Sequence, residues 1–352
     1  MSATSATSTT PFGRRIKFMA IFIALLVVLV VAAWFIGAQI YRGAIDEGRT
    51  ALASEGVTLT CADESLGGFP ARFEWRCSSL SISTASGGQL SGGAFNTVAP
   101  VWNPLFTIAE WTGPFRSVSA DGFDADIASD LLRASIRLNT SLELERLSAV
   151  LDPFSVTLQS APQAIVSANQ AEMHVRQPLE VAGGANAATG RTGDNDLEVA
   201  LVLFGLESPF LGGVNQIDMS ITALMEELAS IRARSLQHGL RAWVERSGRI
   251  TPLTTRLRLD DHAINLDGDG VIGADGRIGF DGAIATNDVA ALVDLMGIDA
   301  SNNASAITAG AMLFGRQTTI GEDTATELPL RVSQGAVSIG PVPLGVLPPL
   351  RF

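Results

Sequence analysis

Alternation of apolar and polar positions dominates the chain from Val57 onward. Ala134-Ile136-Leu138, Leu142-Leu144, Phe154-Val156-Leu158, Ala171-Met173-Val175, Leu197-Val199-Leu201-Leu203, Ile217-Met219-Ile221, Leu257-Leu259, Ile264-Leu266 and Ile278-Phe280 each set polar or small residues between apolar ones. A period of two marks a strand with one buried face and one wet face. The separating segments are short and rich in Gly, Asn, Asp and Pro, so successive strands are expected to pair antiparallel. One sheet face is therefore apolar along much of the chain. A twisted sheet with such a face buries it under helices or by curling into a groove or open barrel.

Helical spacing is the minority signal. Leu224, Leu228 and Ile231, then Leu236, Leu240 and Trp243-Val244, recur at that spacing up to Gly248. Val289, Leu292, Val293 and Met296 do so between Asn287, a candidate cap, and Gly297, a candidate stop. A weaker pattern covers residues 307–314. Single apolar stripes suit packing on a sheet. The expected class is mainly β (α+β): an N-terminal transmembrane helix, then a curved antiparallel β-sheet or groove with a few short packing helices.

The transmembrane expectation rests on residues 18–41, which carry no charge. Roughly 20 such residues at ~1.5 Å each cross a ~30 Å hydrocarbon core. Arg14, Arg15 and Lys17 stand before the run, so the positive-inside bias keeps the N-terminus cytoplasmic and exports the chain beyond Arg42. Trp34 and Tyr41 suit the outer interface. The rival reading is a signal peptide cut at Gly37-Ala38, leaving a chain that begins at Gln39; an apolar core beyond the ~7–15 residues of a signal peptide favours the anchor. The organisation read from this is a disordered cytoplasmic tail (1–15), a transmembrane helix (16–41), a helical stalk (42–56) stopped by Gly56, and one periplasmic β-rich domain (57–352). Residues 183–196 are almost free of apolar side chains and read as a mobile surface loop.

Composition narrows the partners. The 352 residues are 47% hydrophobic and 17% charged, with net charge −12 and pI about 4.7. No basic surface is offered on which a nucleic-acid backbone would condense its charge, so nucleic acid is not an expected partner. Cys61 and Cys77 both lie in the exported part. Residues 57–61 and 73–77 alternate, and Gly67-Gly68-Phe69-Pro70 between them is turn chemistry, so a fold at Phe69 sets Cys61 opposite Cys77. A disulfide there would contribute ~3 kcal/mol; two buried free thiols are the alternative.

Catalytic chemistry is not signalled. His174, His238 and His262 stand in no metal-ligand spacing, and His174 reads as a solvated strand residue. No nucleophile elbow, zinc-protease helix, phosphate loop or dinucleotide fingerprint is present. No catalytic residue, metal or cofactor is expected, and the chain is not read as an enzyme. Asn265-Leu266-Asp267-Gly268-Asp269-Gly270 has the start of a calcium loop, but Gly276 stands where a bidentate Glu is required, and strand, turn and strand fits better. Asp121, Asp124, Asp126 and Asp130, alternating with Phe123 and Ile127, read as the wet face of an edge strand; paired acid/base carboxylates are the rival. Trp102-Asn103-Pro104 is either a rigid turn or the cap of a short helix through Glu110.

Three stretches carry a resemblance: Gly68-Phe69-Pro70 with Phe73 and Cys77, then Pro100, Trp102, Asn103 and Pro104, then Gly335, Gly340 and Pro341 within the ending Leu328 to Leu344. Together they resemble the uncharacterised alphaproteobacterial envelope proteins grouped as domain of unknown function 2125, from the anchor to the C-terminus. Residues 263–296, strand, Asp-Gly turn, strand and short helix, are similar to units of AsmA-like inner-membrane proteins, whose exported part is a long β-groove. That likeness implies a role in moving or accommodating lipid between two membranes, although this chain is shorter than the large members.

The resulting expectation is a bacterial inner-membrane protein whose periplasmic groove binds phospholipid or another apolar ligand, in envelope lipid homeostasis or transport. Phase selects Ile136, Leu138, Phe154, Val156, Leu201 and Leu203 as the inward residues, with ordinary core as the rival role for each. The alternative class is an envelope scaffold or assembly factor with a filled core and no ligand. Neither names a protein partner.

Overall fold

The computed structural model describes residues 11–119, 122–178, 195–209, 215–230, 236–295, 310 and 313–350. Its first element is the helix α1 (Pro11–Ser54), long and apolar enough to cross a membrane. Pro11 suits a first helical turn because it has no N–H to lose there. The expected tail therefore ends earlier: residues 11–15 are helical, and residues 1–10 lie outside the described residues.

Beyond the helix the chain runs back and forth in long passes, each broken by a corner. β1 (Val57–Ala62) continues into β2 (Ser65–Gly67), and β3 (Arg72–Cys77) returns through Ser78 into β4 (Ser79–Thr84). The same pattern joins β5 (Gln89–Gly92) to β6 (Phe95–Pro100), β7 (Phe106–Thr112) to β8 (Phe115–Val118) and β9 (Asp124–Ser129) to β10 (Leu131–Leu138). It then joins β11 (Leu144–Leu151) to β12 (Phe154–Leu158) and β13 (Ala161–Ala168) to β14 (Gln170–Arg176). One part of each pass enters a seven-stranded sheet, β1-β4-β5-β8-β9-β12-β13, and the other a sixteen-stranded sheet. The larger sheet continues through β15 (Leu197–Leu206), β16 (Ile217–Met225), β17 (Arg249–Leu259), β18 (His262–Ile272) and β19 (Ile278–Thr286). It ends with β20 (Arg316–Ile320), β21 (Asp323–Ser333), β22 (Ala336–Ile339) and β23 (Val342–Val346). Neighbours pair antiparallel, and the large sheet stays open, its strand order ending at β2 and β23.

Two of the apolar clusters among the described residues bracket the middle of this sheet. At the corners, Trp75, Cys77, Leu80, Trp111 and Phe115 pack together from both sheets. Further along, Leu259, Ile264, Ile284, Leu328 and Ile339 pack under Leu292 of α3 (Val289–Leu295). Asp288 rather than Asn287 caps this helix: its carboxylate accepts from the Ala290 and Ala291 N–H groups. Asn287 instead ties the helix to β18, accepting from the Ala263 N–H and donating to Asp261. The helix α2 (Leu236–Arg246) buries Trp243, whose indole N–H donates to the Glu226 carbonyl.

Several expectations change. The helical stripe begun at Leu224 is strand there, because β16 pairs through Met225. Leu142 sits in a turn at φ 62° and not in a strand. Trp102-Asn103-Pro104 is a turn, with β7 starting at Phe106. β9 is an interior strand, with Asp124 paired to Arg116 and Asp126 accepting from Gln159. Asn265, Asp267 and Asp269 lie along extended β18, spread too far apart to wrap one cation. Asp196, assigned to the surface loop, is buried and accepts from the Glu227 N–H. Asp121, Ile231, Met296, Gly297, residues 183–194 and most of 307–314 lie outside the described residues.

The disulfide joins Cys61 to Cys77 with Cα atoms 5.3 Å apart, by a different route from the expected hairpin. Cys61 pairs with Leu80 in the small sheet and Cys77 with Phe95 in the large one, so the bond staples the corner between sheets. The turn after Gly67 instead joins β2 to β3. Gly68 has φ 97°, and a Cβ there would meet the Arg72 carbonyl oxygen at 2.5 Å, so only glycine fits.

The expected stalk lies along the sheets. Trp34 donates its indole N–H to the Arg72 carbonyl at 3.0 Å, and Tyr41 stacks on Phe73 and hydrogen-bonds Thr97. Ile45 joins the corner core, and Arg49 pairs with Glu64 while lying over the Trp75 ring. Trp34 and Tyr41 are thus contacts to the β domain. Beside them, the Arg76 hydrogen bond and the charges of Arg76 and Arg72 hold the buried Glu74 carboxyl below its usual range.

Candidate functional site

Between these two cores, part of the apolar face of the large sheet is exposed among the described residues. Register aligns its side chains in cross-strand rows. Leu132, Leu151, Ala171, Leu203 and Met219 form one row from β10 to β16. Ala134, Ala149, Met173, Leu201 and Ile221 form the next, and Ile136, Leu147, Val175, Val199 and Ala223 the third. The sequence sets these residues on one face because each strand alternates in phase with its partner.

The rows make a shallow trough of about 320 Å³ lined by Leu132, Leu151, Met173, Leu201, Leu203 and Met219, with Glu172 and Val202 also bordering it. It is open to solvent: Met173 is 37% exposed and Leu201 40%, and Ile136 of the adjoining row is 38% exposed. Its ends are sealed. Leu132 and Leu151 pack into the corner core, whereas Ile217 and Leu257 join the core under α3. From β10 to β16 the trough crosses ~19 Å at ~4.8 Å per strand, close to the ~15 Å depth of one leaflet's hydrocarbon.

The opposite face is mixed, with Val150, Val202 and exposed Phe204 beside polar residues. His174 shares hydrogen bonds with Ser148 (3.0 Å) and Glu172 (2.8 Å), and Arg176 forms an ion pair with Glu198. The Ser-His-Glu chain has the composition of a nucleophile relay, but it lies on a flat strand face. Backbone N–H groups around it are spent in the β11–β14 ladder, so none converges as an oxyanion hole. Among the described residues, no three His, Cys, Asp or Glu side chains are grouped to hold a metal ion.

The six phase-selected residues divide. Ile136, Leu201 and Leu203 lie on the trough face of the large sheet. Leu138 is on the same strand, past an irregularity in its pairing with β11. Phe154 and Val156 belong to the small sheet, paired with Ser129 and Ile127; Ile127 packs into the corner core. They stand outside the trough lining. Sequence reasoning had Met173 and Met219 in alternating patterns but did not select them. Register across strands chooses them, and the corners that set it leave no periodic signal.

The signature residues are turn builders. Gly68-Phe69-Pro70 closes β2 to β3, with Phe73 beneath α1. Trp102-Asn103-Pro104 closes β6 to β7, and Gly335 and Gly340-Pro341 flank β22. Residues 34–348 match the model of a family described as an uncharacterized protein conserved in bacteria, domain of unknown function 2125. No curated protein and no solved structure matches.

Proposed function

The chain belongs to this bacterial family, and on that premise we propose that it is a non-enzymatic, membrane-anchored protein that holds an acyl chain or another apolar ligand in the trough. It serves lipid homeostasis or transport in the envelope. The helix α1 anchors it in the inner membrane with the N-terminus cytoplasmic, as Arg14, Arg15 and Lys17 favour, and the β domain faces the periplasm. Packing of Trp34, Ala38 and Tyr41 against Phe73 runs across Gly37-Ala38, which supports an uncleaved anchor.

The observation that carries the proposal is the exposure of Ile136, Met173 and Leu201 on a face that the protein's own side chains seal at both ends. Covering such surface gains ~25 cal/mol per Å² of apolar area removed from water, which favours holding a lipid already concentrated in a membrane. The resemblance of residues 263–296 to AsmA-like units, read from the sequence alone, supports the same reading. In the competing scaffold reading the face meets a protein.

The test compares the full chain with its Leu201→Glu variant after purification in mild detergent and delipidating washes. Organic extracts are read by mass spectrometry. Near-stoichiometric phospholipid in the parent, reduced about tenfold in the variant, is expected. Equal retention, or none in either, overturns the lipid reading.

A further inference from the structure

The end of the large sheet beside α1 differs from its far end. Among the described residues nearest α1, three turns lie there: residues 68–71, 101–105 and 139–143, linked because Arg72 pairs with Pro100 and the Leu138 N–H donates to the Leu105 carbonyl. Each presents one large apolar side chain to solvent: Phe69 at 52%, Trp102 at 78% and Leu142 at 68% exposure. Turn tips are ordinarily polar, since nothing covers them. At the far end of the same passes the turns are Ala85-Ser86-Gly87-Gly88, residues 119–123 and Gln159-Ser160, where Phe123 alone is large, apolar and exposed among the described residues.

The apolar tips stand where α1 leaves the sheet. Phe69 meets Trp34 edge to face at 5.5 Å, and Val101, next to Trp102, packs with Trp34, Ala38 and Phe73. Every residue of α1 from 15 to 30 is exposed, so this stretch of the helix is not buried against the sheets. Between Arg15 and Trp34 it rises about 29 Å at ~1.5 Å per residue, matching a ~30 Å hydrocarbon core. Three arginines stand at the same end: Arg146 is exposed, with Arg137 and Arg176 as its register neighbours, and the latter two pair with Glu145 and Glu198.

We propose that the β domain rests on the bilayer that α1 crosses, with Phe69, Trp102 and Leu142 inserted at the lipid interface and the adjoining arginines facing anionic headgroups. This rests on reading α1 as a membrane span. Aromatic rings favour that depth, and a nearby cation whose charge no carboxylate offsets adds ~1 kcal/mol at an anionic surface. The domain is thereby held at a fixed height and tilt over the membrane.

Single cysteines at positions 28, 69, 102, 142 and 123 are spin-labelled in the full chain, whose native cysteines are joined to each other. The chain is reconstituted in vesicles of phosphatidylethanolamine and phosphatidylglycerol, and collision with oxygen is compared with collision with a water-soluble nickel complex. Labels at 28, 69, 102 and 142 are expected to favour oxygen at least threefold over the label at 123. If 28 is lipid-embedded while the tips match 123, the seating is overturned and the anchor stands. If 28 itself is aqueous, both readings fall.

Discussion

Gly37→Leu separates a docked helix from a tether. A Cβ at Gly37 would come within 2.6 Å of the Phe73 Cζ and 3.2 Å of its Cε1. That ring cannot swing aside cheaply: it is 5% exposed and stacked on Tyr41, with Trp34 on another side. Overpacking of this kind costs ~1–3 kcal/mol, and ~2 kcal/mol raises the undocked population about thirtyfold. Gly48→Leu is the control, since nothing lies within 4 Å of its Cβ position and the gain in helix propensity is the same. The assay is limited trypsin digestion of the detergent-solubilised full chain, scored at Arg42 and Arg49. Cleavage in Gly37→Leu is expected to rise ten- to a hundredfold over the parent, with Gly48→Leu at or below parental rate. Equal rates in both variants would refute the docking of α1 on Phe73.

Three further outcomes follow from the same packing. Cys61→Ser with Cys77→Ser opens a staple of sequence separation 16, and is expected to lower unfolding free energy by ~3 kcal/mol in denaturant titration; a change below ~1 kcal/mol would place the corner's stability elsewhere. Leu292→Ala removes a side chain 2% exposed at the centre of its core, for a loss of ~2–5 kcal/mol by the same titration, and an undiminished midpoint would mean α3 does not cover that face. Glu74 is held below its usual 4.5 by the Arg76 hydrogen bond, so its stabilisation is complete above about pH 4.5 and disappears as pH falls through the lower folded value. The Glu74→Gln variant should therefore lose less melting temperature than the parent on acidification below that pH, whereas parallel curves would remove Glu74 from the acid response.

Much of the sheet was legible because alternation survives in every strand that borders the trough. Ala171-Met173-Val175 and Leu197-Val199-Leu201-Leu203 have the phase in sequence that they show in the fold. The corners were not legible. Ser78, Asp130 and Asn169 interrupt a pass by one residue each, and a pattern of period two reads through them as one strand. Phe154 was therefore grouped with Ile136, although the corner at Asp152-Pro153 carries it into the small sheet. The aromatic residues of α1 were legible only in part: Trp34 and Tyr41 read as interface residues, and their packing on Phe73 left no separate signal because both demands are met by the same chemistry. Asn287 lost the cap to its neighbour because β18 already claimed its amide.

The trough's occupancy is most directly read in living cells. A photo-reactive benzoylphenylalanine at Leu201 faces the trough, and one at Ser148 faces the opposite side. Irradiation followed by intact-mass analysis of the full chain is predicted to add the mass of a phospholipid at 201 and not at 148. Adducts to protein alone at 201, or lipid adducts equal at both positions, would contradict a lipid seat on this face.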